Sequence, residues 1–317
     1  MAKEYVIGID VGGTNTKFGI VDSKGTILQQ GRIRTDAHEN AEDFIEELYG
    51  ELSLMIASHG GTQNFHGIGV GAPNGNYYTG TIEYAPNLKW KGIIPIAELM
   101  EKKFGLPTRL TNDANAAAVG EMKYGAAKGM KHFITITLGT GVGSGIVIDG
   151  KIVLGHDGFA GELGHTIIRP GGRLHKGTGL RGSLESYASA TGVRETAIEM
   201  LTENPSTTSL LRNYSIDDLT SETVFKCAEQ GDAVANQIFE FTGQILGEAL
   251  ANFVMFSSPE AIVLFGGLTK AGDLILKPTV QAMEANLIQI FKNKVKIIYS
   301  ELKEADAAIL GASALVW

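Results

Sequence analysis

The sequence has one cysteine, no long basic run and no apolar run long enough to span a bilayer. Cys227 alone cannot form an internal disulfide, and residues 1–4 lead directly into an apolar segment without a signal-peptide core. We therefore expect a cytoplasmic protein in a reducing setting, with no membrane partner. Because 35 Asp and Glu residues outnumber 27 Lys and Arg residues, nucleic-acid binding through the phosphates is not expected.

The remaining composition is that of a globular protein with ligand-binding loops. Of its 317 residues, 44% are hydrophobic and 20% are charged. A chain of this length usually divides into two domains, because a single core stops growing at about this size. The 41 glycines, against 8 prolines, cluster after apolar runs, which is typical of an α/β protein whose loops approach a ligand closely.

The first glycine cluster lies between two predicted strands. Residues 5–10 and 18–22 are apolar, and residues 11–17 between them contain Gly12, Gly13, Thr14, Asn15 and Lys17. The backbone N–H groups and hydroxyls of such a turn can surround a phosphate. Asp10 would face that phosphate, where it needs a cation, and a Mg²⁺ held through water would supply one. The alternative is a plain hairpin with an Asx-type turn.

The same pattern occurs a second time. Residues 133–138 predict a strand, residues 139–145 are rich in glycine, and residues 146–148 predict another strand. The Gly-x-Gly spacing alone is weak evidence, since a dinucleotide-binding fold would place a helix after it. The duplication suggests two similar domains that bind one polyphosphate.

Several polar residues follow predicted strands. Asn112 and Asp113 stand between a strand end and an alanine-rich helix, where Asp113 is either a helix cap, the commoner role of an isolated pair, or a general base. Gly71 follows the strand of residues 65–70, at a strand end where α/β sheets bind ligands. Asn87 lies in an irregular segment and either binds a polar ligand or forms a turn.

Five motifs occur in the order and spacing of the ROK family, which contains bacterial sugar kinases and related repressors. They are residues 10–17, 111–115, 138–143, 161–165 and 262–268. The resemblance covers nearly the whole chain. It implies the actin-like ATPase fold, with two ribonuclease-H-like α/β domains and a hinged cleft. The domains would comprise residues 1–113 with 305–317, and residues 114–304, with hinges near residues 113 and 305.

The resemblance also implies the reaction and the site residues. The reaction would be ATP-dependent phosphorylation of a hexose 6-hydroxyl, with Asp113 as the base. The implied sugar-binding residues are Gly71, Asn87, Asn112, Asp113, Glu162, His165 and Glu185. The implied nucleotide-binding residues are Asp10, which would hold Mg²⁺ through water, and Gly12, Gly13, Thr14, Asn15, Lys17, Gly139, Thr140, Gly141, Gly266 and Gly267.

The chain departs from the family at a metal site. Most members carry three cysteines that bind a structural zinc together with the histidine that matches His165. Lys176, Thr178 and Ser183 occupy the cysteine positions here and cannot rebuild a thiolate site. We therefore expect no zinc. Without it, the tautomer of His165 must be fixed by another hydrogen bond, for which Ser183 and Thr178 are the candidates.

Three functions follow from these features. The first is a hexokinase-type enzyme of the glucokinase kind. The second is a kinase for another sugar, such as N-acetylmannosamine or fructose. The third is a sugar-responsive repressor relative that lacks the DNA-binding domain, which is disfavoured because only nine residues precede Asp10 and the base is retained. The family resemblance implies a homodimer or homotetramer.

Overall fold

The computed structural model describes residues 3–317. The strands within this range are β1 (Tyr5–Val11), β2 (Asn15–Asp22), β3 (Ile27–Arg34), β4 (Phe65–Gly71), β5 (Gly75–Asn76), β6 (Thr81–Glu83), β7 (Ile93–Ile94), β8 (Thr108–Thr111), β9 (Phe133–Leu138), β10 (Val142–Ile148), β11 (Lys151–Ile152), β12 (Ala261–Phe265) and β13 (Lys296–Tyr299). The α-helices are α1 (Ala41–Ser58), α2 (Ile96–Phe104), α3 (Asp113–Tyr124), α4 (Glu185–Ala188), α5 (Ala190–Glu203), α6 (Ser221–Glu229), α7 (Ala233–Ser257), α8 (Asp273–Asn286) and α9 (Ala307–Ser313). Within this range, none of them combines the length and apolar character needed to cross a membrane.

The first sheet brings the ends of three parallel strands to one edge. Its order is β3-β2-β1-β4-β8, in which β1 is antiparallel to β2 and parallel to β4, and β4 is parallel to β8. The register pairs Asp10 with Lys17 on one side and with Gly71 on the other. Gly71 in turn pairs with Thr111, the residue that precedes Asn112. The sheet therefore aligns the candidate residues that follow these strands.

Helix α9 packs so closely against this sheet that its backbone contacts the backbone of the strands. A Cβ atom on Gly8 would lie 2.1 Å from the carbonyl oxygen of Ile309, and one on Gly69 would lie 1.9 Å from that of Ala312. On its other side, a Cβ atom on Gly311 would lie 2.7 Å from the carbonyl oxygen of Ala116 in α3. The small residues of this segment are therefore needed for close packing.

The second sheet has the order β11-β10-β9-β12-β13, with β12 parallel to β9 and β13. Strand β12 is almost entirely buried, as its continuous apolar run predicts. The long helix α7 packs on α8, and glycines make this contact close: a Cβ atom on Gly247 would lie 2.3 Å from the carbonyl oxygen of Thr279. Helix α7 is thus largely a core element.

The chain forms two compact units. The first comprises the described residues up to Lys131 together with Gly145–Gly161 and Ser300–Trp317, and the second comprises His132–Ser144 and Glu162–Tyr299. These units differ from the predicted domains at residues 114–131, 145–161 and 300–304. Helix α3 belongs to the first unit because it packs on α9. The hinges and the cleft stay predictions.

Candidate active site

The helix-capping role at the start of α3 belongs to Asn112. Its Oδ1 accepts a hydrogen bond from the N–H of Asn115 at 2.7 Å, which is the usual N-cap geometry. Asp113 is the first helical residue and lies at the protein surface, and its partly buried carboxylate accepts the backbone N–H of Ala114 at 2.8 Å. Burial by the surrounding protein raises the pKa of this carboxyl. The N-cap of α3 is therefore Asn112 and not Asp113, which leaves the role of general base for Asp113.

Asp10 and Gly71 lie beside Asp113 in the first unit. Burial, and secondly the charge of Asp113, raise the pKa of Asp10 to about 6, while the Lys17 ammonium opposes the rise. A Cβ atom on Gly71 would lie 3.8 Å from the Cα of Asp113 and 3.2 Å from the Cβ of Ala116. The absent side chain at Gly71 therefore lets the start of α3 approach β4. Two carboxylates that repel each other electrostatically form a site suited to a cation.

The first glycine loop is closed by backbone bonds. The N–H of Gly12 donates to the carbonyl oxygen of Asn15 at 3.1 Å, and the N–H of Thr35 donates to that of Thr14 at 2.9 Å. A Cβ atom on Gly13 would lie 2.7 Å from the carbonyl oxygen of Asn87, so Asn87 packs directly on this loop. The side chains of Thr14, Asn15 and Lys17 are exposed. The structure thus joins Asn87 to the predicted phosphate loop.

The second glycine loop lies in the second unit, at the beginning of α5. The N–H of Gly139 donates to the carbonyl oxygen of Gly141 at 3.0 Å, and the N–H of Ala190 donates to that of Gly139 at 2.8 Å. The Thr191 hydroxyl donates to the carbonyl oxygen of Thr140 at 2.9 Å. The partial positive charge of a helix N-terminus favours anions. This helix start was not among the predicted site features, although Ser189 signals it as an N-cap before helical sequence.

The Gly266-Gly267 pair follows β12 next to the second glycine loop. A Cβ atom on Gly266 would lie 2.5 Å from the carbonyl oxygen of Leu138, the residue that precedes Gly139. Gly266 also has a φ of 110°, a backbone conformation that side chains disfavour. Nothing would contact a Cβ atom on Gly267 within 4 Å. The structure therefore brings Gly266 to the second loop and leaves open space at Gly267.

Three predicted sugar-binding side chains come from elements fastened to the start of β10. A Cβ atom on Gly164 would lie 2.0 Å from the carbonyl oxygen of Val142, so the turn containing Glu162 and His165 lies against this strand. In that turn, His165 Nε2 lies 3.8 Å from Glu162 Oε2. Glu185 reaches the same strand because its Oε2 accepts the N–H of Val142 at 2.7 Å.

The expected partners of His165 are wrong. Thr178 Oγ1 lies 2.9 Å from His175 Nδ1, and Ser183 Oγ lies 2.8 Å from Ser186 Oγ. The physical reason is that the segment folds back on itself, with the N–H of His175 donating to the carbonyl oxygen of Leu180 at 2.8 Å. His165 Nδ1 is buried without a hydrogen-bond partner among the residues described.

The segment in which the family binds zinc does not supply the ligands of such a site. An ammonium group and two hydroxyls replace the three thiolates, at Lys176, Thr178 and Ser183. Among residues 3–317, no group of three or more His, Cys, Asp or Glu side chains is placed to hold a metal ion. The absence of zinc from the protein stays a prediction.

Comparisons with known proteins agree with this arrangement. The ROK family profile matches residues 6–317. The glucokinase of Halalkalibacterium halodurans is 36% identical over all of this chain and 96% of its own length, and that of Thermotoga maritima is 31% identical over all of this chain and 98% of its own. A crystal structure of a ROK family glucokinase from Streptomyces griseus, in complex with glucose and AMPPNP, has 32% identity and a TM-score of 0.79, and covers 98% of this chain and 99% of its own. The chain belongs to the ROK family and has the α/β fold of the actin-like ATPases.

Proposed function

We propose that this protein is an ATP-dependent hexose kinase that phosphorylates the 6-hydroxyl of glucose. The observation that carries the proposal is that Asp113 lies at the protein surface at the start of α3 and does not cap the helix, because Asn112 is the N-cap. The glucokinases among its relatives support glucose as the substrate and ATP as the phosphoryl donor.

In this proposal Asp113 is the general base. Its carboxylate accepts the proton of the attacking 6-hydroxyl while the new O–P bond forms and the bond between the γ-phosphorus and the leaving oxygen of ADP breaks. Phosphoryl transfer depends mainly on positioning and charge neutralisation, so a single well-placed carboxylate is sufficient on the protein side. The raised pKa of Asp113 makes it a stronger base than a solvated carboxylate.

The remaining predicted residues divide between the two substrates. We assign the sugar hydroxyls to Gly71, Asn87, Asn112, Glu162, His165 and Glu185. We assign the nucleotide to Asp10, Gly12, Gly13, Thr14, Asn15 and Lys17 in the first unit, and to Gly139, Thr140, Gly141, Gly266 and Gly267 in the second. The packing of Asn87 on Gly13 supports a place for Asn87 beside the first glycine loop. The bond from the Val142 N–H to Glu185 supports a place for Glu185 beside the second.

The structure fits a divalent cation at Asp10. Its carboxylate is partly buried, carries a raised pKa and experiences the charge of Asp113, so a nearby cation would favour its ionised form. Bound Mg²⁺ would neutralise charge on the triphosphate. Asp10 would hold its hydration shell, and Lys17, its register neighbour on β2, would carry a second positive charge toward the phosphates.

Release of ADP over a panel of hexoses tests the proposal. We expect turnover with glucose to exceed turnover with fructose, mannose and N-acetylmannosamine. A preference for N-acetylmannosamine or fructose would replace glucose by the second candidate. A chain that binds sugar but releases no ADP with any of them would support the repressor relative instead. A cytoplasmic location and a homodimer or homotetramer are part of the same proposal, and size-exclusion chromatography with light scattering tests the latter.

A further inference from the structure

Glu185 has both carboxylate oxygens engaged. Oε2 accepts the N–H of Val142 at 2.7 Å, and Oε1 lies 3.0 Å from His175 Nε2. Only 13% of the Glu185 side chain is exposed, and 23% of that of His175. Because an ionised carboxylate only accepts hydrogen bonds, Nε2 of His175 must carry the hydrogen. Glu185 is thus held between a backbone group of β10 and an imidazole.

The imidazole of His175 is itself held in place. Its Nδ1 lies 2.9 Å from Thr178 Oγ1, and a nitrogen without hydrogen accepts the hydroxyl proton, which matches the tautomer required by Glu185. The backbone of His175 is bonded on both sides, with its N–H donating to Leu180 and its carbonyl oxygen accepting from Gly179, each at 2.8 Å. These bonds hold the ring and the backbone of His175 in place even if the Glu185 side chain changes its rotamer.

Arg173 fastens this segment to α4 and α5. Its side chain is 9% exposed and its guanidinium lies 4.6 Å from the centre of the Tyr187 ring. The guanidinium donates to both carboxylate oxygens of Glu199, to the carbonyl oxygens of Ser186 and Gly192, and to the hydroxyl of Thr196. Charge-assisted, bidentate bonds of this kind are among the strongest that side chains make. The position of His175 is therefore set by the protein and not by Glu185.

A cavity of about 180 Å³ lies next to the pair, lined among others by His175, Lys176, Glu185 and Thr191. The glutamate side chain has three rotatable bonds. Without the imidazole, the Glu185 carboxylate would retain its bond to Val142 but could tilt into this cavity. The hydrogen-bond acceptor presented to a ligand would then lose its fixed direction.

We propose that His175 is a positioning residue that orients the Glu185 carboxylate for sugar hydroxyls. The inference rests on the proposed hexose-kinase function, in which Glu185 contacts the sugar and His175 does not. His175 acts on sugar affinity because it fixes an acceptor that the bound sugar uses. It has little effect on the chemical step, which depends on Asp113.

Steady-state kinetics and calorimetric glucose binding without nucleotide test this role on three variants. We expect His175→Ala to raise the KM and the Kd for glucose about tenfold, the effect of losing one charge-assisted hydrogen bond, with kcat and the KM for ATP within about threefold. His175→Gln carries an amide donor at a similar reach and should recover most of the affinity. Lys176→Ala is the matched control, because it changes the next residue on the same cavity, and should behave as the unaltered protein.

The outcomes separate the two proposals. If the unaltered protein phosphorylates no hexose, the proposed function fails. If the unaltered protein is active and His175→Ala leaves glucose affinity within twofold, the positioning role is overturned. An equal loss of affinity in the Ala and Gln variants, or a loss confined to kcat, would also overturn it. Should His175→Ala melt at a much lower temperature, recovery of affinity by His175→Gln decides the question.

Discussion

Replacement of Asp113 by asparagine tests whether this residue is a general base or a helix-terminal residue with no chemical role. The amide is nearly the same shape as the carboxylate, and its oxygen can still accept the N–H of Ala114, while Asn112 continues to cap α3. The change therefore removes basicity and leaves the helix start intact. A positioned general base typically contributes a factor of about 10² to 10⁴, or about 3 to 5 kcal/mol of barrier.

We expect Asp113→Asn to lower kcat by about 10² to 10⁴ while the KM for glucose changes less than about threefold. The melting temperature should stay constant or rise, because desolvation by the fold disfavours the ionised form of this partly buried carboxyl. A coupled assay of ADP release, in which glucose and ATP are varied in turn, measures both constants. Asp43→Asn, in the first turn of α1, is a matched control and should retain full activity.

Two results would refute this reasoning. If Asp113→Asn retained more than a tenth of kcat, the carboxylate would not be the base. If activity fell together with the melting temperature, Asp113 would be a structural helix residue, for which losses of about 1 kcal/mol of stability are usual.

The remaining predictions concern Asp10, the glycines under α9 and zinc. Because the pKa of Asp10 rises from 3.8 to about 6 on folding, the native state binds more protons than the unfolded state between these values, and stability falls as pH rises through that window, by up to about 3 kcal/mol. Asp10→Asn should therefore be more stable than the unaltered protein at pH 7, and inactive because it lacks the carboxylate proposed to hold Mg²⁺. Denaturant titrations at pH 4.5 and pH 7 measure the stability, and a less stable variant at pH 7 would contradict the reasoning. Gly8→Ala should lose about 3 kcal/mol or more, because its Cβ would meet the Ile309 carbonyl at 2.1 Å, whereas Gly50→Ala in α1, with nothing within 4 Å, should gain about 0.5 to 1 kcal/mol. Calorimetry of both variants checks this pair, and equal melting temperatures would refute it. Elemental analysis of the purified protein should find no stoichiometric zinc, and one zinc per chain would overturn the reading of residues 176–183.

The sequence was most informative where local chemistry determines local structure. Glycine and threonine after an apolar strand predict a turn lined by N–H groups, and both turns are present. They are shorter than predicted, at residues 12–14 and 139–141, because the strands that follow them begin at Asn15 and Val142. The alanine-rich run after Asp113 predicts a helix that begins there, and α3 does. Each of these features depends on residues only a few positions apart.

Features that depend on distant residues could not be read in the same way. The choice between Asn112 and Asp113 as the N-cap depends on backbone angles at one position, since both side chains are suitable caps. The pairing of His175 with Glu185 requires residues 173–182 to fold back on themselves, and nothing in the local sequence indicates which hydroxyl reaches which imidazole. The place of α3 in the first unit follows from the contact of Gly311 with Ala116, almost two hundred residues apart in the chain.

The packing of α9 on Gly8 and Gly69 has a consequence for biosynthesis. Val6 and Val21 are covered by Ile309 and Leu310, so one face of the first sheet is completed only by residues that leave the ribosome after the whole of the second unit. During translation this apolar face of the early strands stays exposed to solvent, and exposed apolar surface promotes aggregation or chaperone binding. The second unit, by contrast, needs only one contiguous stretch and a short upstream segment, and we expect it to reach its native form first.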